Sequence, residues 1–197
     1  MYQYLFMTRC WKQALFAFAM TLSVSSEVSV TDDTSIKFVY EVLELKKSVF
    51  GEFSMLMQER DDYATTITHL ALLRAHAAPE NEENMGGVRR LISLALHLSP
   101  RNRSAVVANH QLGQGLLPEK KEVEYSATVF ARLLLTRGRL LKEQKNGSDD
   151  LVGRYFVELS AQLDPRNEDA VYESELQKID DEKADWSLLS KNSDGEG

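Results

Sequence analysis

The side chains best suited to chemistry in this chain are its four histidines and several clustered carboxylates. His69 and His76 lie seven residues apart, or about two turns of a helix, which is too far to bind one metal ion through a single turn. No HExxH motif occurs. The carboxylates of Glu80, Glu82 and Glu83 lack the alternating ligand spacing of a calcium loop. The sequence therefore favours structural roles for these side chains, and we expect neither a metal nor a cofactor.

Motifs for nucleophilic or phosphate chemistry are also missing from the sequence. Cys10 is the only cysteine, so the chain forms no internal disulfide and no thiolate zinc site. Gly86 and Gly87 follow a predicted helix rather than a strand, and no Lys-Ser/Thr pair follows them. No serine occupies a Gly-x-Ser-x-Gly elbow. The sequence thus predicts a protein that is not an enzyme; a helical enzyme or enzyme subunit with an unrecognised active site stays open as the alternative.

Four arginines are the candidates for binding a partner: Arg74, Arg132, Arg137 and Arg139. The last three cluster on one long predicted helix. Since a guanidinium pairs well with carboxylates, these side chains are suited to holding a bound peptide. The simpler interpretation, which we favour, is that they form solvated contacts with Glu and Asp one turn away.

The composition limits the kinds of partner. The formal net charge is −7 and the hydrophobic fraction is 43%. A protein that binds nucleic acid needs clustered Lys and Arg, so no nucleic acid is expected. The ordinary hydrophobic fraction argues against global disorder. A folded domain that binds a protein or peptide fits both observations.

The first 26 residues have the pattern of a secretory signal peptide. Arg9 and Lys12 precede an uncharged apolar run over residues 14–24, and two serines then precede Glu27, the first acidic residue. The run is shorter than the roughly 20 residues of a membrane span. The sequence predicts export to the periplasm or the extracellular space with cleavage near residue 26. A membrane anchor formed by residues 1–26 and a buried N-terminal helix stay open as alternatives.

Apolar residues three and four positions apart predict an all-α chain, because no alternating pattern of useful length appears. A helical repeat-like domain is predicted over residues 35–180, followed by an acidic, partly disordered tail over 181–197. Prolines 79, 100 and 165 end three of the helices, since the residue before a proline disfavours helix. The predicted helices cover residues 36–60, 62–78, 88–98, 104–112, 119–145, 151–163 and 168–178.

One five-residue motif occurs twice, at positions 65 residues apart. The first copy is LSPRN over 98–102, and the second is LDPRN over 163–167. Self-similarity of this kind is typical of a repeat architecture. We expect the two copies to be equivalent junctions between helices, with Leu98 and Leu163 buried and Arg101 and Arg166 exposed.

The two endings, over residues 95–100 and 160–165, resemble the end of a tetratricopeptide repeat, which has a small residue, a leucine, a polar residue and a proline. Gly153 also matches that family's small position early in a second helix. The resemblance covers about residues 60–180. It implies antiparallel helical pairs stacked as a short solenoid, whose first helices line a groove for a partner protein or peptide. The implied function is a noncatalytic protein–protein interaction or scaffold module.

The chain departs from that family in its period. Its two prolines lie 65 residues apart, whereas one such repeat has about 34 residues. The predicted helix over 119–145 is also longer than the family's. The sequence therefore resembles divergent helical pairs, and an irregular helical bundle stays open as the alternative.

Overall fold

A computed structural model describes residues 38–45, 47–120, 126–144 and 146–191. Over these ranges the protein is all-helical and contains no strand, as predicted. The predicted signal peptide or anchor over residues 1–26 lies outside the described residues. No helix in the described part is long and apolar enough to cross a membrane. The helices are α1 (Met57–Ala77), α2 (Glu82–Leu98), α3 (Arg103–Gly113), α4 (Ala127–Glu143), α5 (Gly147–Leu163), α6 (Glu168–Ile179) and α7 (Trp186–Ser190).

Short polar side chains set where the helices begin. Asn102 starts α3 by accepting a hydrogen bond from the backbone N–H of Ala105, and Asn167 does the same for α6 through Ala170. Such a side chain satisfies one of the N–H groups that the first turn leaves unpaired. The remaining side-chain caps are Asn81 of α2, Ser126 of α4, Asn146 of α5 and Asp185 of α7.

Three helices begin at positions that differ from the prediction. α2 begins at Glu82 instead of residue 88, and α5 begins at Gly147 instead of residue 151. Both added turns carry acidic residues, which the positive end of the helix dipole stabilises, so their polarity does not mark them as loops. α4 begins at Ala127, and residues 119–120 are not helical.

The helices form two antiparallel pairs. In the first pair, Arg74 near the end of α1 bonds to Asn84 near the start of α2, while Asp61 near the start of α1 bonds to Ser99 after α2. In the second pair, the hydroxyl of Ser160 near the end of α5 donates to the carbonyl of Ala131 near the start of α4. Gly153 also lies against Gly138: a Cβ atom added to Gly153 would lie 2.8 Å from the carbonyl oxygen of Gly138. The absence of a side chain at both positions is what lets these backbones approach.

The two copies of the repeated motif form junctions with matching hydrogen bonds. The N–H of Asn102 donates to the carbonyl of Ser99 at 2.9 Å, and the N–H of Asn167 donates to the carbonyl of Asp164 at 3.0 Å. Each asparagine then caps the next helix. The motif therefore marks the same local turn twice, whereas a tetratricopeptide-like stacking of the pairs stays a prediction.

The burial of the two junctions differs. Leu98 is buried and both arginines of the motif are exposed, as predicted, but Leu163 is only partly buried. The first junction is enclosed because Asn102 also donates to Asp61 and Thr65 of α1 at 2.9 and 2.8 Å. No corresponding hydrogen bond from Asn167 to another helix occurs among the described residues, so the second leucine lies nearer the surface.

The predicted helix over residues 36–60 is wrong for the described residues before Met57. Residues 38–45 and 47–56, which we call the strap, form an irregular segment without helix or strand. Leu43 is held by Asn109 of α3, whose side chain accepts from the Leu43 N–H at 3.1 Å and donates to its carbonyl at 3.0 Å. Gly51 has a positive φ of 62°, which interrupts any helix. An irregular segment pressed onto a core can bury residues at the same three-and-four spacing as a helix.

The strap ties the two helical pairs together. Its Ser54 donates to Asp149 of α5 from both the backbone N–H and the hydroxyl, at 2.7 and 2.9 Å. Asp149 is buried in the first turn of α5, where the helix dipole favours a negative charge. Since the strap also bonds to α2 and α3, it connects the first pair to the second.

The predicted acidic tail over residues 181–197 contains ordered structure in its described part, residues 181–191. Ala184 and Leu189 are buried, and α7 packs against α2. The indole N–H of Trp186 donates to Glu158 of α5 at 2.8 Å, and the hydroxyl of Tyr155 donates to the Asp185 carbonyl at 2.6 Å. Ala184, Trp186 and Leu189 of this acidic stretch thus pack in or against the core, whereas Leu188 is exposed. Residues 192–197 of the predicted tail lie outside the described part, so its partial disorder stays a prediction.

Candidate functional site

An open groove lies between α1 and α4, the first helices of the two pairs. Its volume is about 760 Å³. Aromatic rings form its floor: Tyr63 of α1 lies 5.7 Å from Phe130 of α4 between ring centroids, and it stacks on Phe156 of α5 at 5.1 Å. Tyr63 and Phe130 line the groove, and the buried ring of Phe156 supports Tyr63 from below, so the floor is largely apolar.

Apolar side chains at the edges of this groove stay exposed to solvent. Leu56, just before α1, is 75% exposed, and Leu133 of α4 is 41% exposed. Val129 and Leu140 are exposed on the same face of α4 as Leu133, since they lie four residues before it and seven after it. A contiguous set of exposed apolar side chains is typical of an interaction surface.

Polar groups line the α1 wall of the groove. The carboxylate of Asp62 accepts a hydrogen bond from the Gln58 amide at 2.9 Å. Glu59 pairs with Arg137 of α4 through two contacts, 2.7 Å from Nε to Oε1 and 3.0 Å from Nη2 to Oε2. This ion pair joins the two walls, so it fixes their spacing.

A smaller cavity of about 430 Å³ shares His69 with the groove. Its other walls include Arg103 and Val107 of α3 and the segment at Pro118. Val107 is 44% exposed. The concave surface therefore extends from Leu56 past His69 to α3.

The four predicted arginines lie in three different places. Arg137 lies at the groove, paired with Glu59. Arg74 bonds to Asn84 at 3.0 Å, and its guanidinium fills the space where a Cβ atom of Gly87 would lie, so it packs α1 against α2. Both side chains therefore hold helices together.

Arg132 and Arg139 come together in a polar cleft of about 770 Å³ between α4 and the start of α6. Arg139 pairs with Glu173 at 2.5 Å and with Asp169 at 3.7 Å. Arg132 is exposed and forms no ion pair with any residue that the structure describes. Arginine and carboxylate side chains line this cleft together, so it offers no region of one charge. A partner-binding role for the four arginines stays a prediction.

The sequence did not predict this groove. Leu133 and Leu134 are adjacent in the sequence, yet the first is exposed and the second is buried. The apolar spacing of α4 does not distinguish these two leucines, because it does not reveal which face of the helix meets α1.

Among the described residues, no three His, Cys, Asp or Glu side chains are grouped as metal ligands.

Comparison with known proteins gives no relative for this chain: no protein family, curated protein or solved structure matches it.

Proposed function

We propose that this protein is a noncatalytic interaction module that binds a segment of a partner protein in the groove between α1 and α4. The observation that carries the proposal is the exposure of Leu56 and Leu133 above an aromatic floor. Binding sites of this size are mainly apolar and contain a few polar groups that orient the ligand. The resemblance to tetratricopeptide repeats supports the same function, since it also places the site on the first helices of the pairs.

The lining of the groove suits a segment with two apolar side chains and one basic residue. The apolar side chains would cover Leu56 and Leu133, and each Å² of apolar surface removed from water contributes about 25 cal/mol. The basic residue would pair with Asp62, whose carboxylate lies on the α1 wall. Glu59 is already paired with Arg137, so Asp62 is the better acceptor.

A displayed peptide library tests the groove directly. Selection on the immobilised full chain should enrich peptides with two apolar residues and a nearby Lys or Arg. Leu133→Asp should weaken binding of a selected peptide at least about tenfold, because it places a charge on the apolar wall. The matched control is Val106→Asp on α3: Val106 is 45% exposed, close to the 41% of Leu133, but does not line the groove.

Isothermal titration calorimetry measures the affinities, and circular dichroism verifies that both variants are folded. Equal affinity of the wild type and Leu133→Asp would contradict the proposed site. Enrichment of acidic peptides that depend on Arg132 would instead favour the polar cleft on the other side of α4.

We further propose that the chain is exported and loses residues 1 to about 26. The basic residues, the apolar run and the serines before Glu27 support this proposal. N-terminal sequencing of protein recovered outside the cytoplasm should give a first residue between Ser25 and Val30. Full-length protein in the soluble cytoplasmic fraction would contradict export, and full-length protein in the membrane fraction would favour the anchor.

A further inference from the structure

His97 lies where three segments of the chain meet. It belongs to α2, and both the strap and α7 pack against it. The side chain is 2% exposed, and its ring lies 5.8 Å from that of Phe50 in the strap. The groove between α1 and α4 does not include it.

The hydrogen bonds of His97 fix its charge and its tautomer. Nδ1 lies 3.2 Å from the backbone nitrogen of Val49. The N–H group of that nitrogen can only donate, so Nδ1 accepts the hydrogen bond. Nε2 lies 3.2 Å from the carbonyl oxygen of Leu189, which can only accept, so Nε2 carries the proton. The ring is therefore neutral, with one bond to the strap and one to α7.

Neighbouring hydrogen bonds reinforce the same two attachments. The hydroxyl of Ser48 in the strap donates to the His97 carbonyl at 2.7 Å. The hydroxyl of Ser93, one turn earlier on α2, donates to the Leu189 carbonyl. The strap and α7 are thus both attached to α2 at this histidine.

We propose that His97 is an acid-sensitive latch that holds the strap and α7 on α2 at neutral pH and releases both when it is protonated. A proton on Nδ1 would place an N–H against the N–H of Val49, so the bond to the strap would be lost. A charged imidazolium would also be buried without a carboxylate partner. Opening of the two segments relieves both costs, because it exposes the ring to water.

The two hydrogen-bond partners of the His97 ring are the backbone groups of Val49 and Leu189, and neither carries a charge that could compensate the proton. Asp185 caps α7 and Glu158 of α5 accepts from Trp186, so both carboxylates are engaged elsewhere. Among the described residues, the charged side chains on the elements that pack around His97 are Glu41, Glu44, Lys47 and Glu52 of the strap, Glu82, Glu83, Arg89 and Arg90 of α2, Asp149, Asp150, Arg154 and Glu158 of α5, and Asp185 and Lys191 beside α7; the Tyr155 hydroxyl of α5 is a further titratable group.

The pH range of the release follows from the direction of the pKa shift. Burial lowers the pKa of His97 below its usual value of 6.5, and the bond to the Leu189 carbonyl opposes this only in part. The open state, with the ring in water, therefore binds a proton more readily than the closed state. The closed state keeps its full stability above pH 6.5 and loses it as the pH falls from there towards the lowered pKa.

Hydrogen exchange measured by mass spectrometry tests the latch on the full chain. Between pH 7.5 and pH 5.0, the protection factors of residues 47–56 and 184–191 should fall together by about tenfold, after correction for intrinsic exchange. Residues in the middle of α2 should keep their protection. Loss of protection in only one of the two segments, or in neither, would overturn the proposal.

His97→Gln is the decisive variant, because the side-chain amide of glutamine can donate and accept hydrogen bonds but does not titrate near neutral pH. It should remove the pH dependence of both segments. The matched control His110→Gln changes an exposed histidine of α3 and should behave like the wild type. A pH dependence that persists in His97→Gln would overturn the proposal. If that variant fails to fold, the wild-type profile decides alone: coincident loss in both segments with a one-proton slope below pH 6.5 supports the latch, and any other profile overturns it.

Discussion

Phe50→Ala is expected to lower the free energy of unfolding by about 3–5 kcal/mol, as for other large aromatic side chains deleted from a core. Phe50 is fully buried, and its ring lies 5.9 Å from Phe53, 5.8 Å from His97 and 5.6 Å from Tyr155. The substitution leaves a cavity between the strap, α2 and α5. The loss is large against the 5–15 kcal/mol that typically stabilises a domain.

Urea denaturation of the wild type and the variant measures this change. Val49→Ala is the control, since Val49 is the preceding strap residue, its side chain is 43% exposed and only its backbone N–H is bound. We expect a loss of about 0.5 kcal/mol or less for this control. Similar small losses for both variants would mean that the strap is not part of the core.

Gly153→Leu is expected to destabilise the protein by about 3 kcal/mol, near the upper end for an overpacked core. A Cβ atom at this position would lie 2.8 Å from the Gly138 carbonyl oxygen and 3.3 Å from the backbone nitrogen of Lys142. Because these obstacles belong to the backbone of α4, no side-chain rotation removes them. The pair α4 and α5 must separate to accept any side chain.

Gly86→Ala on α2 is the matched control for glycine in a helix. Nothing lies within 4 Å of its added Cβ atom, so only the helix propensity changes, and a gain of about 0.5–1 kcal/mol is expected. Thermal unfolding of both variants measures the two changes in stability, which should be opposite in sign. A Gly153→Leu variant as stable as the wild type would show that α4 and α5 do not approach each other as closely as the structure places them.

Local sequence determined the all-α class of the chain and the two junctions at the repeated motif. Asn102 and Asn167 cap helices because their side chains reach the backbone N–H three residues ahead. Pro100 and Pro165 end helices because proline restricts the residue before it. These effects act over a few residues and need no distant contact, so the repeated motif predicted both turns. Gly153 shows the same point, since the resemblance already placed it at a small position early in a second helix.

Tertiary contacts alone decided what happens to apolar residues outside the helices. The strap shows the three-and-four spacing of a helix, but Asn109 and Asp149 bind its backbone in a non-helical form, and these partners lie 66 and 95 residues away. α7 is held likewise by Leu189 and Trp186, which contact α2 and α5. The spacing of apolar residues along the sequence does not show which surface of the folded protein buries them.

The position of the candidate site was also decided by tertiary contacts. The sequence offered four arginines as binding candidates, although it favoured solvated contacts for them, and Arg74, Arg137 and Arg139 are each held by groups on another helix. Leu56 and Leu133 line the proposed groove, because the packing of α1 and α4 leaves both leucines exposed. Side-chain type and helical period are local properties of the chain, and they determined the all-α fold and its repeated junctions. Exposure is set by the packing of distant helices, so only the tertiary structure decided where a partner could bind.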